Sequence, residues 1–115
     1  MLLGCYLSAA YGDFAPKLTS QFHVYGLTRR GIGASDKPVT GYSVQRSSDD
    51  LLAVLDALDL RTAILLGTSC AGQVQTQFAS QHPNRVTGLV YLDGATDPTT
   101  TAAEYEPAMP DLKRR

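Results

Sequence analysis

The sequence predicts an α/β fold: a mostly parallel β-sheet with helices packed on it. Three observations carry this. Apolar runs alternate with amphipathic helical stretches in the order strand, loop, helix, strand, helix, strand, as in successive right-handed βαβ crossovers. The apolar runs lack polar alternation, as in strands covered on both faces. A tight turn of small residues joins one of these runs to the helix after it.

Taken in order, residues 11–20 suit a short helix with Pro16 near its first turn. Residues 22–27 are aromatic and β-branched, and read as a strand. Residues 28–46 form a long glycine-rich loop, a kind that is usually functional or mobile in a compact domain. Ser47 is placed as an N-cap with Asp50 three residues later. Leu51, Leu55 and Leu58 then mark one face of a helix over 47–58. Residues 62–66 form a buried strand that Gly67 ends. Ala71, Val74 and Phe78 mark one face of a helix over 70–81, with Gln73, Gln77 and Gln81 on another. His82-Pro83-Asn84 stops it. Residues 86–92 are a second buried strand, closed by Asp93-Gly94. The chain turns polar and irregular after Asp97-Pro98. Ligands of such sheets bind beyond the carboxyl ends of the strands. The loop over 28–46, the turn over 67–72 and the turn after Leu92 share that edge.

Composition narrows the function classes. With a net charge of −1, nothing attracts nucleic acid or an anionic membrane. No apolar run approaches the roughly 20 residues of a membrane span. The first residues lack the basic start of a signal peptide, which points to a cytoplasmic protein. Cys5 and Cys70 are too few and too separated for a disulfide scaffold or zinc site, and read as free thiols in a reducing compartment. Gly31 and Gly33 lack the third glycine of a dinucleotide fingerprint. No metal or cofactor is expected. The expected partner is a small molecule, and oligomeric state is not legible.

The stretch Ile64-Leu-Leu-Gly67-Thr68-Ser69-Cys70-Ala71-Gly72 carries the chemistry. A strand, a sharp turn with serine at its apex and a helix make a nucleophile elbow. Gly67 and Ala71, two positions either side of Ser69, let strand and helix approach. The usual pattern has glycine at the second position; here Ala71 stands there and Gly72 follows. Ser69 is the candidate nucleophile, and the Cys70 backbone N–H the candidate oxyanion donor.

With that turn, the segments FAPKLTSQFHVYGLTRRGIGASDKP, VLDALDL, AILLGTSCAG and HPNRVTGLVYLDGA resemble the α/β-hydrolase fold family, in its esterase-like branch. Arg30-Gly31-Ile32-Gly33-Ala34-Ser35 is similar to the family's Arg-Gly-x-Gly-x-Ser loop. His82-Pro83-x-Arg85-Val86 is similar to its entry into the sixth strand. The resemblance implies a partial three-layer sandwich over 1–97. It makes 98–115 an irregular tail, the start of a truncated cap. It implies that Ser69 attacks the carbonyl of an ester or related acyl group. It also implies a Ser-Asp/Glu-His triad in that chain order. Asp93 is either the acid, as in some branches, or a turn residue. His23 and His82 are expected to lie away from Ser69, and the triad histidine to lie downstream of this chain, which reads as truncated at both ends. Gly4 and Cys5 are candidates for the remnant of the family's first oxyanion segment. Arg29 and Arg30 are either anion-binding or solvated, Asp36 caps a turn, and Lys113-Arg114-Arg115 is a charged end. Serine at the apex disfavours epoxide and haloalkane hydrolysis, whose relatives use aspartate. The rival reading is a non-catalytic protein on the same scaffold.

Overall fold

The computed structural model describes residues 11–92 and the backbone of Leu2–Leu3. Four strands form one parallel sheet: β1 (Leu2–Leu3), β2 (Gly26–Leu27), β3 (Ala63–Thr68) and β4 (Val86–Leu92), in the spatial order β2-β1-β3-β4. Leu3 pairs with Leu27 on one side and Gly67 on the other, and Thr68 pairs with Leu92. β1, β3 and β4 therefore run to one common edge. The helices are α1 (Val44–Ala57) and α2 (Ala71–Gln81), with 3₁₀ turns at Ala15–Leu18 and Pro83–Arg85.

Several boundaries differ from the sequence expectation. α1 begins three residues early: Ser43, not Ser47, is the N-cap, and its Oγ accepts the Arg46 N–H at 3.1 Å. Asp50 serves a different partner, described below. β3 runs through Gly67 to Thr68, because the ladder to β4 continues to Leu92. β2 shrinks from 22–27 to two residues, since its pairing with β1 spans two positions; Phe22 lies half-exposed and His23 stacks on Tyr25. The helix expected over 11–20 is the single turn at Ala15–Leu18, with Pro16 in its first turn.

Alternation along β3 divides the core. Leu65 is fully buried against Leu51 and Leu55 of α1 and Ala71 and Phe78 of α2, whose helical spacing places each pair on one stripe. Leu66 points to the opposite face and meets Tyr11, with Ala15, Leu18 and Val24 around it. Two helices cover one face, whereas among the described residues the other carries only the segment from Tyr11 to Val24. Ile64, Leu89, Val90, Tyr91 and Leu92 are each more than a third exposed. Gly4, Cys5, Asp93 and 98–115 lie outside the described residues.

Candidate active site

Ser69 sits between the end of β3 and the start of α2, with φ of 53°. Side chains other than glycine rarely enter this left-handed region, and a strained turn of this kind lifts a side chain clear of the backbone on either side. Ser69 is exposed, while Gly67, Ala71 and Gly72 beside it are buried. The turn is closed by the Gly72 N–H donating to the Ser69 carbonyl at 3.0 Å and the Gln73 N–H to the Cys70 carbonyl at 3.2 Å. Cys70 is the N-cap of α2.

Neighbouring elements hold this turn. The hydroxyls of Tyr11 and Thr68 lie 3.3 Å apart, tying the opposite face of the sheet to the residue before Ser69. Gln75, fully buried in α2, donates to the Val90 carbonyl at 3.1 Å and so locks α2 onto β4. Neither contact has a signal in the sequence, because each joins residues far apart in the chain.

The loop after β2 is folded by its own motif. Arg30 grips Asp50 of α1 with two hydrogen bonds, at 2.5 and 2.8 Å, and Arg46 adds a contact to Asp50 at 3.4 Å. The hydrogen bond to Asp50 raises the Arg30 pKa above its ordinary value. Gly31 has φ of 83°, and a Cβ there would meet the Tyr42 ring at 2.6 Å, so glycine is required on both counts. Its N–H donates to the Asp36 carbonyl at 2.7 Å, and Ser35 Oγ donates to the Thr28 carbonyl at 2.7 Å. Asp36 thus closes the turn through its backbone.

The two histidines stand apart from Ser69. His23 stacks on Tyr25 with ring centroids 4.5 Å apart, and lines a groove with Thr62 and Ala63, at the opposite end of β3. His82 closes the far end of α2, its ring 5.0 Å from that of Phe78. Eleven helical residues put it about 16 Å along the axis from the elbow. Leu92, the last described residue, is opposite Thr68.

Cys70 overturns the expectation of free thiols. It is disulfide-bonded, and no cysteine among the described residues is free. The sequence holds one other cysteine, Cys5. Separation along the chain misled here: Leu3 is directly opposite Gly67 in the sheet. A disulfide at Cys70 gives no ground for a reducing compartment. No helix among the described residues is long and apolar enough to cross a membrane, and none of their His, Cys, Asp and Glu side chains cluster as a metal site.

The alpha/beta hydrolase fold family model matches residues 3–115. The chain belongs to that family. This hydrolase-fold chain is 31% identical over 86 residues to 2-(acetamidomethylene)succinate hydrolase of Mesorhizobium japonicum, covering 75% of the chain and 31% of that protein. It is 35% identical over 91 residues to a non-heme chloroperoxidase of Streptomyces lividans, covering 78% of the chain and 33% of that protein. A solved structure of Est816, described as an N-acyl homoserine lactone degrading enzyme, superposes with a TM-score of 0.75 at 34% identity, over 81% of this chain and 38% of that one. The chain spans about a third of the length of the curated relatives it matches.

Proposed function

We propose that this hydrolase-fold chain carries the nucleophile of a serine hydrolase that cleaves carboxylic esters or related acyl bonds. The observation that carries the reading is Ser69 itself: exposed, at φ of 53°, between a buried parallel strand and a helix start. In this reading Ser69 Oγ attacks the acyl carbon, and the Cys70 N–H donates to the oxygen that becomes negative. The alcohol leaves with a proton, and water then releases the acid and restores the serine. Two of the relatives named above are described as a hydrolase and a lactone-degrading enzyme, which supports a hydrolytic reaction class here.

The proton of Ser69 needs an acceptor, and neither His23 nor His82 is placed to take it. We therefore propose that the 115-residue chain alone does not turn over esters, with Asp93, Gly4 and Cys5 contributing acid and oxyanion contacts only where a histidine also reaches the site. A non-catalytic role on the same scaffold is the second reading, favoured by the same placement of the histidines. The test is labelling with an alkyl fluorophosphonate in the presence of imidazole as external base. Ser69 Oγ bonds to phosphorus, fluoride leaves and imidazole takes the proton. Mass spectrometry should find the adduct on the peptide holding Ser69 and not on other exposed serines. Labelling spread evenly over serines supports the non-catalytic reading.

A further inference from the structure

Three of the described arginines pair with a carboxylate: Arg30 and Arg46 with Asp50, and Arg85 with Asp56. Arg61 is exposed, just before β3. Arg29 differs from all of these. It is half-buried, its Nε is fully buried with no acceptor, and no carboxylate lies within ion-pair distance among the described residues. Among the described residues its one hydrogen bond runs from Nη1 to Cys70 Sγ at 3.5 Å. Sulfur is a weak acceptor, so a guanidinium with five donors in a fixed fork is left largely unsatisfied. Proteins rarely withdraw a charge from water without pairing it. Arg29 also lines a cavity of about 360 Å³ together with Arg30, Asp50, Cys70, Ala71 and Val74.

We propose that Arg29 binds the carboxylate of an anionic substrate, so that the acyl compounds taken at Ser69 are half-esters of short dicarboxylic acids. The proposal deepens the serine-hydrolase reading and rests on it. The contact to Cys70 sets the guanidinium one residue from the nucleophile, so a substrate whose carbonyl sits at Ser69 and whose far end carries a carboxylate spans the two. The local charge allows this. The cavity is lined by Arg29 and Arg30 against Asp36 and Asp50, and Arg46 reaches Asp50 from outside it. Asp50 is occupied by two of these arginines, and Asp36 is exposed on the loop. A guanidinium fork matches a carboxylate in two parallel hydrogen bonds, which an ammonium does not reproduce.

The test is binding, so it does not depend on turnover. Dissociation constants of monomethyl glutarate and of neutral dimethyl glutarate are measured on the full chain by saturation-transfer NMR, which needs only dilute protein. A charge-assisted pair should favour the monoanion about tenfold. Arg29→Gln should abolish the preference, and Arg29→Lys should keep only part of it. Arg61→Gln, which removes a remote exposed charge, should leave it intact. Equal affinity for both esters in the unaltered chain overturns the proposal, as does a preference that survives in Arg29→Gln or falls equally in Arg61→Gln. If Arg29→Gln does not fold, the comparison of the two esters on the unaltered chain and on Arg29→Lys decides. Loss of the preference with Ser69 labelling intact rejects the anion site alone. An intact preference without labelling rejects the nucleophile reading alone.

Discussion

Replacing Ser69 by glycine should make the protein more stable while removing its reactive group. The left-handed backbone at φ of 53° brings Cβ close to the carbonyl that follows, at a cost of roughly 1–2 kcal/mol for a residue other than glycine. Glycine is free of that clash but loses about 0.5–1 kcal/mol because its unfolded chain is more mobile. The difference leaves Ser69→Gly about 0.5–1 kcal/mol more stable than the parent. Ser69→Ala keeps Cβ and therefore keeps the strain, and should match the parent closely, since the hydroxyl is exposed. Urea unfolding followed by circular dichroism measures this. With a slope of about 1 kcal/mol/M, the glycine variant's midpoint should rise by roughly 0.5–1 M with the slope unchanged. Both variants should lose phosphonate labelling. A glycine variant no more stable than the alanine variant refutes the reasoning, because relief of strain at Ser69 then fails to exceed glycine's entropic loss.

Phe78→Ala empties a fully buried site between α1, α2 and β3, and should cost about 3–5 kcal/mol by urea unfolding. Release of p-nitrophenol from a short-chain ester should be equal for the unaltered chain and Ser69→Ala; a clear drop in the variant shows that a base does reach Ser69. Asp50→Asn removes the carboxylate that Arg30 grips, and should speed hydrogen exchange of the Gly31 N–H without altering that of β3. Among the described residues Val90, Tyr91 and Leu92 are more than a third exposed, and such apolar surface should drive association, so Val90→Lys should shift the chain toward monomer in sedimentation velocity; an unaltered chain already monomeric at high concentration argues against this.

Where the sequence was informative, a period or a small-residue turn carried the information. Leu65, Ala71, Val74 and Phe78 announce a strand and a helix, and both lie within two residues of their expected bounds. The elbow is legible because serine flanked by small residues is unusual between a strand and a helix. The start of α1 was misplaced because Ser43 and Ser47 are equally good caps locally, and only the fold decides that Ser43 is used. β2 is shorter than the aromatic run suggests because Phe22–Tyr25 has strand propensity without a partner strand beside it among the described residues. The clamp of Arg30 on Asp50, the hydroxyl pair of Tyr11 and Thr68, and the disulfide at Cys70 are contacts across the fold. No spacing in the chain encodes them. The status of Arg29 is a residue of that same bookkeeping: it stands out only after the other arginines have found their partners.

The strand order also bears on how the sheet assembles. β3, α2 and β4 are consecutive and can close as a local βαβ unit. β1 comes from the other end of the chain, yet it lies between β2 and β3, and Leu3 meets Gly67 across more than half the sequence. Closing so long a loop carries an entropic penalty before any contact rewards it. β1 is therefore the last strand of this sheet to find its place, and it is the strand that joins β2 to the elbow strand. Until it docks, the loop bearing Arg29 and the turn bearing Ser69 belong to separate folding units. Pulse-labelling hydrogen exchange during refolding should show amides of β4 protected before that of Leu27.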